Sequence, residues 1–274
     1  MYKQRRARNR KILFHHEYLI MNILYLIISA HEFPYLQLRR IAESTWQSRL
    51  GEKDRIINLY SQRSLGRSEL DRNAFLGKDG AFLTGNRRIE KPCLINEISW
   101  TFPTFDGWDS ILHKTISAFE YALNNSNFDF IVRTAPSSFW NPTSLRSRLS
   151  SAQSDCAVGT IRDHNGIKYI EGSNLIMHRE VIEKIVNRID LLDFKLIDDV
   201  AIGDVLKKLS IKMIDWPRPR IERRWDFHDT RYGEFSEIYS FRCRQSKPYD
   251  WKVLQRELSN MVKIHNILIQ TKKY

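Results

Sequence analysis

The sequence predicts an α/β fold with a central, mostly parallel sheet. The segment Phe128–Val132 is mostly apolar and rich in aromatic and β-branched residues, which is typical of a strand buried on both faces. Pro136 lacks an N–H and biases Ala135 away from the helical region, so this strand should end there. Strand-like and helix-like segments alternate along the chain, which favours helices packed against one sheet.

The loop after this central strand is the expected site of any ligand. A helix-like segment, about 142–150, follows the loop. In open α/β sheets, ligands bind where the carboxyl ends of strands meet their loops. We therefore expect residues 134–140 to line the site.

Other segments predict the remaining elements. Strands are expected at Ile23–Ser29, Arg55–Tyr60, Cys156–Thr160 and Lys168–Ile170, with a short strand within 93–100 and a tight turn at 163–166. Helices are expected at about 35–49, at Asp109–Leu123 with Asp109 as the N-cap, and at about 250–270. The stretch 61–86 has no clear period and predicts an irregular excursion.

Composition limits the class of protein. The chain has 274 residues, of which 42% are hydrophobic and 12% aromatic, enough for one large α/β domain or two small ones. The formal net charge of +12 indicates attraction to polyanions, such as nucleic acid, an anionic membrane or a phosphate-bearing substrate. Cys93, Cys156 and Cys243 are odd in number and far apart, which argues against a disulfide framework and a cysteine zinc site.

The N-terminus predicts a basic arm before the first strand. Six of the first eleven residues are Lys or Arg, a density typical of a solvated arm. The apolar stretch Tyr18–Ala30 is shorter than the roughly 20 residues that a membrane span needs, and its core is better used as a strand. We expect a flexible arm over 1–21 and a single domain over 22–274, with the sheet core at about 22–215 and an aromatic, basic segment over 216–274.

Several short motifs, in order, resemble glycosyltransferases of the fringe and β-1,3-galactosyltransferase type. They are LRRIAESTWQ (38–47), FDFIVRT (128–134), SFWN (138–141), EGSNLIMHREVIEKIV (171–186) and DDVAIGDVLKKLSI (198–211). The resemblance covers about residues 22–215 and implies a GT-A-like α/β/α sandwich. It also implies transfer of a sugar from a nucleotide-sugar donor, UDP-sugars being favoured, to a hydroxyl of a glycan or glycolipid.

The resemblance also implies roles for site residues. Asp199 matches the acid that serves as general base in an inverting transferase, and Asp198 precedes it. Placing negative charge at a helix start is the alternative explanation of this pair. The expected substrate-binding residues are Ser29, His31, Lys114, Arg133, Ser137, Ser138, Gly172, Ser173, Asp198, Arg242, Arg244 and Lys247. Ordinary surface, helix and turn positions are the alternatives for His31, Lys114, Gly172 and Ser173.

The acidic metal-binding triplet of the family is replaced by Ala135-Pro136-Ser137, which cannot hold a divalent ion. Ser240 stands where the family often has a metal-binding histidine. Fixed cations can neutralise a leaving diphosphate in place of a metal, and Arg133, Arg242, Arg244 and Lys247 are the candidates. We therefore expect a metal-independent enzyme without a cofactor; manganese is disfavoured.

Two alternatives stay open: a catalytically inactive relative, and a basic α/β domain that binds nucleic acid. The sequence contains no recognisable nucleic-acid motif, so no nucleic-acid partner is expected. Animal enzymes of the family carry an N-terminal membrane helix, and we expect no such anchor in this chain. The expected location is cytoplasmic, and peripheral membrane contact through the basic arm stays open.

Overall fold

The computed structural model describes residues 21–30, 34–61, 91–104, 108–221, 234–244 and 250–271. The strands are β1 (Ile23–Ile28), β2 (Arg55–Ser61), β3 (Leu94–Asn96), β4 (Ser99–Phe102), β5 (Phe130–Thr134), β6 (Ser138–Trp140), β7 (Cys156–Gly159), β8 (Ile161–His164), β9 (Ile167–Ile170), β10 (Asn174–His178), β11 (Lys212–Asp215) and β12 (Ser240–Arg242). The α-helices are α1 (Tyr35–Ser44), α2 (Trp108–Asn125), α3 (Pro142–Leu149), α4 (Arg179–Val186), α5 (Asp198–Lys208) and α6 (Trp251–Gln270). Short 3-10 helices lie at Trp46–Arg49, Ile189–Leu191 and Phe235–Glu237.

An eight-stranded sheet forms the centre of the fold, in the order β11-β7-β10-β5-β1-β2-β4-β3. Strand β1 pairs in parallel with β2 and β5, and β10 and β3 are the strands that run antiparallel to their neighbours. The predicted α/β fold with a mostly parallel central sheet is confirmed. Strand β5 lies between β10 and β1, so it is a central strand, as its apolar sequence predicts.

The central strand lies two residues later in the chain than predicted. The Asn22 N–H donates to Asp129 Oδ2 over 2.7 Å, and Phe128 packs into the core ahead of the strand. All five residues of β5 are buried, and the strand ends at Thr134, ahead of Pro136. The Ser138 N–H then donates to the Ala135 carbonyl over 3.0 Å, which closes a tight turn at the end of the strand.

Two apolar layers cover the two faces of the sheet. Because alternate strand residues point to opposite faces, Ile131 joins the core under α2, α4 and α5, whereas Val132 joins the core under α1, α3 and α6. Helix α6 contributes Leu254, Met261, Ile264 and Leu268, all fully buried, to the second core. The C-terminal helix therefore packs on the sheet.

Both predicted strands and the turn between them are present, but β8, the strand that precedes the turn, was not predicted. Strand β7 belongs to the central sheet between β10 and β11, whereas β8 and β9 form a separate antiparallel pair. Asn165 and Gly166 adopt φ values of 54° and 82°, the backbone that a two-residue hairpin turn requires. The error arose because the polar strand β8 lacks the apolar pattern of a core strand.

One helix start differs from the sequence expectation, and another agrees with it. Helix α2 begins at Trp108, so Asp109 lies inside its first turn, and the prediction that Asp109 is the N-cap is wrong. Helix α5 begins at Asp198, and Ile197 occupies the N-cap position without a side-chain bond. The acid pair therefore lies in the first turn, as expected for a favourable helix-dipole position, but it does not cap the helix.

The basic arm over 1–20, His31, Lys247 and most of the excursion over 61–86 lie outside the described residues. The division into an arm and one domain stays a prediction. Within the ranges that are described, no helix combines the length and apolar character that a membrane span needs.

Candidate active site

The carboxyl end of β5 is approached by the first turn of α5 and by the loop Glu171–Ser173 between β9 and β10. Antiparallel pairing sets Asn174, the first residue of β10, opposite Thr134, the last residue of β5. Thr134 Oγ1 and Ser138 Oγ both donate to the Ser173 carbonyl, over 3.1 and 3.2 Å. These bonds hold the loop 171–173 against residues 134–140, the segment predicted to line the site.

A buried ion pair joins β5 to α5. Arg133 lies on the same face of the sheet as Ile131, and its Nη2 donates to Asp198 Oδ2. The side chains of Arg133 and Asp198 are only 7% and 8% exposed. Such a pair is weak evidence for added stability, but removing one partner is costly because the other stays buried and charged. The pair therefore fixes the first turn of α5 against the end of β5.

Gly172 is needed because of Arg133. A Cβ atom at position 172 would clash with Arg133 Nη1 and come too close to Cζ. The close approach that Gly172 permits, expected from the sequence to serve a ligand, is made by the Arg133 guanidinium. The Gly172 N–H points to the other member of the acid pair and donates to Asp199 Oδ2 over 3.2 Å.

Asp199 is a partly exposed carboxylate with raised basicity. Its Oδ1 accepts the N–H of Val200 over 3.1 Å, and its Oδ2 accepts the N–H of Gly172. Burial and the adjacent Asp198 carboxylate raise the pKa of Asp199, although the Arg133 guanidinium opposes them. A carboxylate held in this way accepts a proton more readily than an ordinary surface aspartate does.

Arg218 forms the centre of a basic cluster on the other side of the loop. Its Nη1 donates to Ser138 Oγ and Ser240 Oγ over 3.2 and 3.3 Å. Its Nη2 donates to Ser173 Oγ and, over 3.3 Å, to Glu171 Oε2. Sequence reasoning missed this residue. The signal was present in WPRPR (216–220), where prolines on both sides of Arg218 restrict its backbone.

Arg242 reaches the same serines from β12. Antiparallel pairing of β12 with β6 sets Arg242 opposite Ser138. Arg242 Nη1 donates to Ser137 Oγ over 2.9 Å and to Ser138 Oγ over 3.4 Å. Burial and the neighbouring guanidinium groups of Arg218 and Arg244 lower the pKa of Arg242 to about 9. The expected site residues Ser137, Ser138, Arg242 and Arg244 are therefore brought together.

Glu171 is the carboxylate that faces this cluster. Its two oxygens pair with Arg218 and with Arg162, the latter over 2.9 Å. Burial opposes ionisation of Glu171, but the charges of Arg218 and Arg162 outweigh it and lower the pKa of Glu171. The loop 171–173 therefore bonds both parts of the site. Glu171 and Ser173 bond Arg218 of the basic cluster, and Gly172 bonds Asp199, the candidate base.

The residues at this edge do not fit a divalent cation. The turn after β5 offers Ala135, Pro136 and Ser137, and the Ser137 hydroxyl is bonded by the guanidinium of Arg242. Within the described parts of the chain, no group of three or more His, Cys, Asp or Glu side chains could hold a metal ion. The hydroxyl groups of Ser137 and Ser138, bonded by the guanidinium groups of Arg218 and Arg242, suit an anion, and Glu171 is the carboxylate that faces them.

Two further expected residues lie at the end of β1. Lys114 and Ser29 are both buried, and Lys114 Nζ donates to the Ser29 carbonyl over 3.2 Å. Ser29 Oγ donates to Asn58 Oδ1 over 3.2 Å. The first bond holds α2 to the residue that follows β1, at the same edge of the sheet as Thr134, and the second joins that residue to β2.

No known family model matches the chain, and neither does any curated protein sequence. Solved structures do show similarity. The galactosyltransferase LgtC, solved with donor and acceptor sugar analogs, is 12% identical with a TM-score of 0.44, over 90% of this chain and 96% of LgtC. The inositol-1-phosphate CTP transferase of T. maritima is 11% identical with a TM-score of 0.43, over 89% of this chain and 96% of that one. The glycosyltransferase GlyE of Streptococcus pneumoniae TIGR4 is 11% identical with a TM-score of 0.45, over 92% of this chain and 64% of GlyE.

Proposed function

We propose that the protein is a glycosyltransferase that moves a sugar from a nucleotide-sugar donor to a hydroxyl acceptor, with inversion and without a metal ion. One observation carries the proposal. The three-residue loop 171–173 joins a carboxylate of raised basicity, Asp199, to a guanidinium cluster at the carboxyl edge of a mostly parallel sheet.

The proposed reaction is a single displacement. The acceptor hydroxyl oxygen forms a bond to the anomeric carbon of the donor sugar while the bond from that carbon to the diphosphate oxygen breaks. Asp199 takes the hydroxyl proton as the new bond forms. The nucleoside diphosphate leaves with the electron pair, and its negative charge is stabilised by fixed guanidinium groups. UDP-sugars are the favoured donors, and a glycan or glycolipid is the favoured acceptor.

A donor screen tests the proposal. Purified protein is incubated with UDP-, GDP- and CMP-sugars, and release of nucleotide is measured with and without mixed oligosaccharide or glycolipid acceptors. The expected result is release from one donor class, with a transferred sugar of inverted anomeric configuration by NMR. Retention of configuration would refute the inverting assignment of Asp199, and inertness toward every donor would refute the activity.

A further inference from the structure

Arg218 and Arg242 come from different segments of the chain and bond the same hydroxyl oxygen. Arg218 follows β11 and Arg242 lies in β12, yet both Nη1 atoms donate to Ser138 Oγ, over 3.2 and 3.4 Å. The two guanidinium groups are therefore direct neighbours. Two positive charges held beside the buried Ser138 repel each other, and an anion near them relieves that repulsion.

Among the described residues around the pair, positive charge exceeds negative charge. Arg244 adds a third guanidinium beside Arg242, whereas Glu171 and the buried Glu257 supply negative charge. Glu171 is shared with Arg162, so only part of its charge serves Arg218. In addition, Nε of Arg218 is buried and has no hydrogen-bond partner among the described residues. The cluster thus retains capacity to bind a further anion.

Part of the cluster is accessible to solvent. Arg218 and Ser138 are buried, whereas Arg242, Glu171 and Ser173 are partly exposed. An anion arriving from solvent would first meet the partly exposed side chains of Arg242 and Glu171. The Ser137 and Ser173 hydroxyls accept bonds from the arginines, and each also carries a hydrogen that can be donated to an oxyanion, whereas the Ser138 hydroxyl donates its hydrogen to the Ser173 carbonyl.

We propose that Arg218 and Arg242, with Ser137 and Ser173, form an oxyanion site for the diphosphate of a nucleotide, and that Glu171 is its resident counter-ion. The assignment to a nucleotide diphosphate rests on the proposed function, whereas the anion site does not. Adjacent guanidinium forks and hydroxyl donors match phosphate oxygens, since each fork can bond two oxygens. Glu171 competes with the incoming diphosphate for Arg218.

Calorimetric titration of the full chain with inorganic pyrophosphate, UDP and uridine tests the site. Pyrophosphate and UDP are expected to bind, and uridine, which lacks phosphate, to bind far more weakly. Arg218→Gln and Arg242→Gln should each weaken pyrophosphate binding by about tenfold to a hundredfold. Glu171→Gln should strengthen it, because the competing carboxylate is lost. Arg188→Gln removes an exposed guanidinium paired with Asp190 and serves as the charge-matched control.

Circular dichroism and urea unfolding establish which variants are folded. Arg242→Gln and Glu171→Gln change partly exposed side chains, so they decide the question even when Arg218→Gln does not fold. Pyrophosphate affinity equal to wild type in folded Arg242→Gln, or weaker binding by Glu171→Gln, would overturn the proposal. If pyrophosphate binding depends on Arg242 but the protein transfers no sugar, the oxyanion site is supported and the proposed glycosyltransferase activity is refuted. Sugar transfer with a donor KM unchanged by Arg242→Gln would refute the site alone.

Discussion

Asp198 and Asp199 are adjacent in the sequence, but their surroundings give them different roles. Asp198 is buried against the guanidinium of Arg133, which makes it a structural anchor for the first turn of α5. Asp199 is partly exposed, accepts two backbone N–H groups and has a raised pKa. We therefore expect replacement by Asn to lower turnover at Asp199 and stability at Asp198, so the two variants separate catalysis from folding.

The Asp199→Asn variant is expected to lower turnover by about 10²–10⁴, while donor binding stays close to wild type.

The same variant is informative about stability. Because folding raises the pKa of Asp199, its ionised form costs stability above the folded pKa. That cost disappears as the pH falls through the unfolded pKa. The neutral variant should thus be at least as stable as wild type at pH 7, with no advantage at strongly acid pH. Steady-state kinetics measure the turnover, and urea unfolding at pH 7 and at strongly acid pH measures the stability. Normal turnover would refute the assignment of Asp199 as the general base.

The Asp198→Asn variant is expected to lower the free energy of unfolding by about 3 kcal/mol. The reason is that Arg133 would stay buried without its charge partner. Asp204→Asn is the matched control on the same helix, since it removes a partly exposed i,i+4 pair with Lys208 and should cost well under about 1 kcal/mol. Equal losses in the two variants, measured by urea unfolding, would show that the Arg133 pair has no special role.

At the scale of elements, the loop 171–173 determines the geometry of the site. Glu171 bonds Arg218, Gly172 contacts Arg133 and bonds Asp199, and Ser173 bonds Arg218. The loop begins at the end of hairpin β8–β9 and runs directly into β10, which is paired with β5. Its position is therefore set by the sheet, and a small change in its backbone affects both sides of the site.

The Gly172→Ala variant is expected to destabilise the fold by about 1–3 kcal/mol, because the added methyl group displaces the Arg133 guanidinium from Asp198. Combined with Asp198→Asn, the loss should be smaller than the sum of the two single losses, since both act through Arg133. Urea unfolding of the four proteins in this double-mutant cycle measures the coupling. Strict additivity would indicate that Gly172 has no energetic connection to the Arg133 pair.

At the scale of the whole molecule, the net charge of +12 is concentrated in part at the proposed site. Arg218, Arg242 and Arg244 approach one another at the carboxyl edge of the sheet, where a nucleotide would bind. Under the proposed function, these fixed cations would bind the anionic diphosphate in place of a divalent ion. This arrangement leads to two expectations for the intact protein.

Sugar transfer is expected to survive treatment with EDTA and to gain little from added manganese. The physical reason is that guanidinium groups supply the positive charge that a divalent ion would otherwise provide. Initial rates with the active donor, before and after chelation and after metal addition, measure this. A rate that is lost on chelation and restored by manganese would show that metal ligands lie elsewhere in the chain.

UDP is expected to bind at the arginine cluster without competition from short oligonucleotides at physiological salt. Non-specific binding to nucleic acid would depend steeply on salt, because each neutralised phosphate releases counter-ions. Competition titrations at several salt concentrations separate the two modes. Displacement of UDP by an oligonucleotide, with a steep salt dependence, would favour the nucleic-acid-binding alternative.

The sequence by itself determined the elements whose physical cause is local. The apolar run ending near Pro136 predicts β5, the periodic apolar residues of 109–123 predict α2, and Asn165-Gly166 predicts the hairpin turn. The acid pair at the start of α5 was also recognisable. In each case, neighbouring residues carry the information, since strand periodicity, helix periodicity and turn conformation depend on short stretches of chain.

Only the tertiary structure decided what these residues contact. Nothing local indicates that Arg133 pairs with Asp198, that Gly172 makes room for a guanidinium, or that Arg218 meets Arg242. Pairing of β10 with β5 and of β12 with β6 brings these positions together across tens of residues. Burial and neighbouring charges then shift the pKa values of Asp199, Glu171 and Arg242, because the cost of an ion depends on the solvent and partners that the fold provides.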